Sequence, residues 1–323
     1  MSQANNKPAK ASSADAQSTR SDSPSSDLFL DGQALKGIST TSRRAFLRNS
    51  TAAGLVGGFA LAAQPIQAQQ VISTNFEGLD ADEAYIEEDG IELYAYYAKP
   101  KNASGPLPTV IVCSEIFGVH EHIADIVRRF AKQGFLAIAP EFFTRAGDPM
   151  MLGTVAEVLK EIIAKTPDSQ VMDDIRACLA WASKNGGDPE RVGVTGFCWG
   201  GRITWLACAN IDQMKAGVAW YGRLVGDKSE NFPAHPVDLA AQLKAPVLGL
   251  YGGKDDGIPL STVDQMKQAL SSATGNAAAL ASRFEIYPEA PHAFHADYRG
   301  SYREGPAKDG WKKCLAWFAS NGV

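Results

Sequence analysis

Val192-Gly193-Val194-Thr195-Gly196-Phe197-Cys198-Trp199-Gly200-Gly201 is an apolar run that ends in Gly-x-Cys-x-Gly-Gly and passes into Arg202-Ile203-Thr204-Trp205-Leu206, which reads as a helix. A strand that turns sharply into a helix around one nucleophile, with small residues two places on either side, predicts a nucleophile elbow. Glycines suit it because the turn is tight and neighbouring backbone comes close. A helix that starts just after Cys198 aims its free N–H groups at the thiol, which favours thiolate and can later hold an oxyanion. Most such elbows carry Ser, so Cys here narrows the reading. The other four cysteines, Cys113, Cys178, Cys208 and Cys314, sit in apolar runs and read as buried structural thiols.

A thiol nucleophile needs a base, and the base needs a third group to fix its tautomer. Downstream, Pro246-Val247-Leu248-Gly249-Leu250-Tyr251 runs into Gly252-Gly253-Lys254-Asp255-Asp256-Gly257-Ile258-Pro259, a strand end with an acidic loop. Further on, Arg283-Phe284-Glu285-Ile286-Tyr287 runs into Pro288-Glu289-Ala290-Pro291-His292-Ala293-Phe294-His295, a strand followed by a loop histidine. Catalytic groups of open α/β sheets collect beyond the carboxyl ends of the strands, and all three candidates fall there. Cys198, Asp255 and His292 fill the three roles in the chain order expected for an elbow enzyme. Asp256 competes with Asp255, and His295 with His292. The Ala-Pro-His context favours His292, which leaves His295 as a rim or surface histidine.

Outward from these landmarks the pattern is regular. Ile91 to Ala98 alternates as an edge strand, while Thr109 to Ser114 and Phe135 to Ala139 are continuous apolar runs, as buried parallel strands should be. Ile123 to Gln133 has helical spacing between them. Val155 to Ala164 and Val171 to Lys184 read as helices, the second with Cys178 and Trp181 on its buried stripe. Ala216 to Tyr221 is a further strand. Ser261 to Ser272 and Gly310 to Ser320 are helices, the last with Trp311, Leu315 and Phe318 on one face. This alternation predicts an α/β-hydrolase fold, a mostly parallel sheet with helices on both faces.

The chain resembles the dienelactone hydrolases, also called carboxymethylenebutenolidases. The matching pieces are Ser114-Glu115-Ile116-Phe117-Gly118, Gly196-Phe197-Cys198-Trp199-Gly200-Gly201, Gly253-Lys254-Asp255 with Ile258-Pro259, and His292-Ala293-Phe294. They run in the family's order and spacing from about Glu83 to the end. The resemblance implies a Cys-His-Asp triad that cleaves a small ester or lactone through an acyl-enzyme. It selects Asp255 over Asp256 by the distance to Ile258-Pro259. It also gives Glu115 a role: the resting thiol stays neutral, and Glu115 takes its proton once substrate displaces the side chain. The oxyanion donors it implies are the backbone N–H groups of Trp199 and Ile116. Arg145, Phe117 and Arg299 are the substrate-binding candidates. Where the family places an arginine shortly after the catalytic histidine this chain has Ala296, and Arg299 follows later. An anionic substrate wants a bidentate arginine, so the chemistry is better supported than any one compound.

At the other end, Thr41-Ser42-Arg43-Arg44-Ala45-Phe46-Leu47-Arg48 is a twin-arginine motif, followed by a Gly/Ala-rich apolar stretch from Thr51 to Ala63 and by Pro65-Ile66-Gln67-Ala68. The stretch is too short to serve as a membrane anchor. Such signals are read by an export machinery that accepts folded cargo. The expected organisation is a Ser- and Ala-rich disordered extension over 1–40, a signal peptide over 41–68 and one α/β domain over 69–323, giving a periplasmic enzyme. The leader to Ala68 has 7 Lys+Arg against 4 Asp+Glu, a net +3, and the whole chain is −5, so the remainder carries −8. An acidic body argues against nucleic acid as a partner. Five cysteines without regular spacing are not a disulfide framework.

No cofactor or metal is expected. His120-Glu121-His122 with Asp125 is not H-E-x-x-H, and two histidines at this spacing do not share a helix face. They read as a helix start beside the active-site mouth. Two other readings use the same fold: a catalytically silent binding protein, and a thiol-based redox enzyme acting through Cys198. The first does not need Cys198, Asp255, His292 and Glu115 together. The second lacks an evident resolving thiol, since Cys208 lies about three helical turns on.

Overall fold

A computed structural model describes residues 72–323. The extension, the twin-arginine motif and the cleavage edge lie outside those residues. Eight strands form one sheet in the order β1-β2-β4-β3-β5-β6-β7-β8. The strands are β1 (Leu79–Glu88), β2 (Ile91–Pro100), β3 (Leu107–Cys113), β4 (Leu136–Pro140), β5 (Gly187–Phe197), β6 (Met214–Trp220), β7 (Val247–Gly252) and β8 (Arg283–Tyr287). β1 and β2 pair antiparallel, as do β2 and β4; the remaining pairs are parallel. The main helices are α1 (Glu121–Lys132), α2 (Val155–Glu161), α3 (Asp168–Lys184), α4 (Trp199–Asn210), α5 (Leu260–Ser272), α6 (Ala277–Ala281) and α7 (Glu304–Ser320). This is the α/β-hydrolase architecture.

Successive residues of a strand face opposite sides, and both sides of this sheet are covered. Gly193 of β5 faces Phe318 of α7, while Gly217 of β6, which pairs with Val194, faces Cys208 of α4. Cys113, Cys178, Cys208 and Cys314 are fully buried, and burial pushes all four thiols up. Phe318 is buried in the core, with Trp311 and Leu315 partly buried against it.

Three local expectations change. Ile91–Pro100 is not the sheet edge, because β1 covers it along its full length, Leu79 opposite Pro100 through Glu88 opposite Ile91. The hairpin turns at Asp89 and Gly90, both with positive φ, 49° and 72°, as a two-residue mirror-image turn requires. The helix expected over Val155 to Ala164 ends at Glu161 and gives way to a 3₁₀ turn at Ile163–Lys165. The last helix begins at Glu304, six residues before Gly310, with an acidic residue favourably placed in its first turn.

The topology sets the site. From β3 the chain crosses through α1 to β4 on one side, and from β5 it crosses through α4 to β6 on the other. Adjacent strands whose connections leave in opposite directions open a crevice at their carboxyl ends. Cys113 of β3 pairs with Gly196 of β5, so Glu115 and Cys198 each stand two residues beyond a matched pair.

Candidate active site

Cys198 sits at the head of α4 with φ 55° and ψ −115°, a left-handed conformation costly for a residue with a side chain. Its surroundings hold it there. Its N–H donates to Trp220 O at 3.0 Å, and its carbonyl accepts from Gly201 N at 2.9 Å. A Cβ on Gly200 would lie 2.2 Å from Cys113 O, and one on Gly196 would lie 2.1 Å from Gly200 O. Those two positions must therefore be glycine for the elbow to close against β3. Cys198 is 7 % exposed and opens onto a cavity of about 200 Å³, room for a small molecule.

His292 and Asp255 arrive from the loops after β8 and β7. His292 Nδ1 lies 2.7 Å from Asp255 Oδ2. Asp255 Oδ1 accepts from Gly257 N at 3.0 Å and Ile258 N at 3.1 Å, so the loop's own amides orient this buried carboxylate. Asp256 is exposed. His292 and Cys198 line the same cavity. Burial opposes charge on the imidazole, but the Cys198 sulfur and the bond to Asp255 outweigh it and push His292 up to about 10. An imidazole held between a thiol and a buried carboxylate can take up a proton and return it. Trp199 opens α4, so its N–H has no carbonyl partner inside the helix. Ile116, from the loop after β3, lines the same cavity.

Glu115 is brought to the same end of the sheet and is 2 % exposed. Its Oε2 contacts His120 Nε2 at 2.9 Å and accepts from the Tyr298 hydroxyl at 3.2 Å. Burial would raise its pKa, yet the His120 bond and the Arg299 charge prevail and hold it below the usual carboxylate range. Arg299 Nε donates to the Tyr298 hydroxyl at 3.0 Å, and its guanidinium stacks over Phe117 at 5.0 Å. Phe117 and Arg299 thus belong to one layer beside Glu115. Arg145 is held elsewhere, its Nη1 bound to Asp174 on α3 at 2.8 and 3.1 Å, and none of Arg145, Phe117 and Arg299 is among the residues lining the Cys198 cavity.

One histidine departs from its sequence reading. His295 is not at the rim; it is 3 % exposed, with its ring 4.5 Å from Trp220 and 5.2 Å from Phe197, beneath the elbow. His120 and His122 lie at the start of α1, beside the site. Both are buried, His120 on Glu115 and His122 3.4 Å from Asp297, which Arg129 also binds at 2.6 Å. Tyr298 and Asp297 were missed altogether, although both stand directly before Arg299. Tyr221 and Arg223 in the cavity wall were missed too, because they follow β6 in a segment without a motif. Among the described residues no cluster of His, Cys, Asp and Glu is arranged to hold a metal ion. No helix among them is long and apolar enough to cross a membrane.

Residues 93–321 match the sequence profile of the "Dienelactone hydrolase family". The chain belongs to this family. A "Putative carboxymethylenebutenolidase" of Methylorubrum extorquens is 52 % identical over 295 residues, covering 91 % of this chain and 98 % of that protein. A Bradyrhizobium protein named "Probable 2-oxo-3-(5-oxofuran-2-ylidene)propanoate lactonase" is 30 % identical over 243 residues, 75 % of this chain and 94 % of its own length. The crystal structure of a "Putative Dienelactone Hydrolase" from Klebsiella pneumoniae superposes with a TM-score of 0.72 at 55 % identity, covering 75 % of this chain and 98 % of that one. As a dienelactone hydrolase family member, the chain is a lactone or ester hydrolase acting on a small molecule.

Proposed function

We propose that this hydrolase opens a small ester or lactone by attack of Cys198 on the carbonyl carbon. The observation that carries the reading is the line from the elbow thiol through His292 to Asp255, closed by the 2.7 Å contact. The thiol proton passes to Glu115, and the thiolate, paired with protonated His292, forms the S–C bond. The C–O bond to the alcohol then breaks as His292 gives its proton to the departing oxygen. Water, deprotonated by the now neutral His292, cleaves the thioester, and the released thiolate takes its proton back from Glu115. The Trp199 and Ile116 N–H groups would hold the oxyanion. Glu115, ionised and buried two residues past β3, is suited to take the thiol proton when substrate displaces it from His120 and Tyr298. Phe117 and Arg299 would meet the substrate's far side. The name of the Bradyrhizobium relative makes ring-opening of a lactone the first substrate class to try. The reading is tested by quenching the enzyme during turnover of a slow ester and mapping the acyl adduct by mass spectrometry. An adduct on the peptide holding Cys198 is expected; one confined to Cys113 or Cys208 refutes the assignment.

We also infer export through the twin-arginine route, with a periplasmic domain that begins near Gln69. Support comes from Arg43-Arg44, the short apolar stretch and the small-residue edge at Ala68, in that order. Folding before export would carry the buried thiols through in a finished core. Replacing Arg43 and Arg44 together with lysine should retain the enzyme in the cytoplasm with its activity intact. Wild-type chain found intact in the cytosolic fraction, by N-terminal sequencing, rules the route out.

A further inference from the structure

Tyr221 stands immediately after β6, on the strand beside the one that carries Cys198, and it is held under strain. Its φ is 38°, left-handed for a bulky residue. The neighbourhood fixes that conformation from three sides. Tyr221 N–H donates to Leu250 O at 2.9 Å. The next residue, Gly222, packs so closely that a Cβ there would lie 2.3 Å from Gly201 C in α4. The Tyr251 hydroxyl ties down Gly222 O at 2.9 Å.

The result is a phenol ring set edge-on to His292, with centroids 5.1 Å apart, in the wall of the cavity that holds Cys198. The ring is fully buried, yet its hydroxyl has no hydrogen-bond partner among the described residues. A buried hydroxyl left unpaired gives up its hydrogen bonds to water without replacement, which destabilises the fold. Native proteins leave few such groups, and strained, unsatisfied positions gather where a ligand completes them. The other buried tyrosines near the site contrast with it: Tyr298 bonds Glu115 and Tyr251 bonds Gly222. Burial holds the Tyr221 phenol well above its ordinary value, and the nearby Glu115 and Cys198 charges raise it further, so the group keeps its proton and acts as a donor.

The geometry points to Tyr221 as a catalytic hydrogen-bond donor to the oxygens of the acyl carbon as Cys198 adds to it. This rests on the proposal that Cys198 is the nucleophile. Negative charge appears on those oxygens only as the carbonyl becomes tetrahedral, so the donor stabilises the transition state more than bound substrate. Removing one such donor elsewhere costs roughly 10²–10³ in kcat. The hydroxyl that helps the reaction is, in the resting fold, an unpaired polar group.

The test is Tyr221→Phe in the full-length enzyme, assayed with p-nitrophenyl acetate, alongside wild-type enzyme quenched for the Cys198 acyl adduct. Phe keeps the ring against His292 and deletes only the hydroxyl. We expect kcat to fall about 100-fold, KM to change less than threefold, and the melting temperature to stay level or rise. A kcat within twofold of wild type overturns the inference. A loss confined to KM also overturns it, because it puts the hydroxyl on ground-state substrate. A melting temperature lowered by several degrees does so as well, because it shows that the hydroxyl has a structural partner. A wild-type enzyme without the Cys198 adduct removes the nucleophile reading itself, whereas an adduct with an unaffected Tyr221→Phe enzyme removes only the role of Tyr221.

Discussion

Cys198→Ala should abolish ester turnover, lowering kcat by roughly 10⁴–10⁶-fold, the range seen when a nucleophile is removed from a triad that works as a unit. The protein should stay folded. Alanine keeps the Cβ, so the backbone at φ 55° is no more strained than before, and Gly196 and Gly200 still let the elbow close on β3. Only the packing of one sulfur is lost, about 1 kcal/mol. The measurement is kcat on p-nitrophenyl acetate together with a thermal melt. Activity within tenfold of wild type would show that another group attacks the ester. The four remaining cysteines offer no substitute, since each is buried in the core and its thiol is held neutral by that burial. The same burial weighs against the redox reading, which needs a second accessible thiol to resolve an oxidised Cys198.

The parts legible in the sequence were those whose chemistry forces a local pattern. An elbow demands glycines at fixed offsets, and buried parallel strands demand unbroken apolar runs, so β3, β4, β5, β6 and β7 could be found from Thr109, Phe135, Val192, Ala216 and Val247 onward. β1 was missed because Leu79–Glu88 carries five acidic residues and buries only Ala84 and Ile86. That is how an edge strand discourages further pairing, and it hides the strand from an apolar search. The Asp89-Gly90 turn was the signal that could have revealed it. His295 was misplaced because a strand end does not say which of two nearby loop histidines turns inward; here aromatic rings of Phe197 and Trp220 surround the second one. The bonds around Glu115 join residues up to 183 positions apart. No local spacing could show that His120, Tyr298 and Arg299 converge on one carboxylate. Arg145 shows the converse: a position matched on sequence does not reveal that Asp174, brought in by α3, binds its Nη1.

Asp255→Asn should lower kcat by roughly 10³–10⁴-fold, and the reason lies in which oxygen the loop holds. Oδ1 of Asp255 accepts from two backbone amides, Gly257 and Ile258, so an asparagine there must turn its carbonyl oxygen to them and its NH₂ toward His292. A donor then faces Nδ1, which must give up its hydrogen and become the acceptor. The ring is left with its proton on Nε2, the tautomer that cannot take a proton from a thiol through that nitrogen. The loss of the negative charge also removes support for the imidazolium that Asp255 helps to stabilise. Because the loop amides remain satisfied, the melting temperature should move little. Asp256→Asn is the paired control. That side chain is exposed and lies one residue off the contact, so kcat should stay within about twofold, as surface changes away from such features do. The pair is read from steady-state rates on one ester across pH 6–9. Equal damage from both substitutions would mean that the whole loop, not one oriented carboxylate, sets the base. A large loss from Asp256→Asn with a near-normal Asp255→Asn would hand the role to its neighbour.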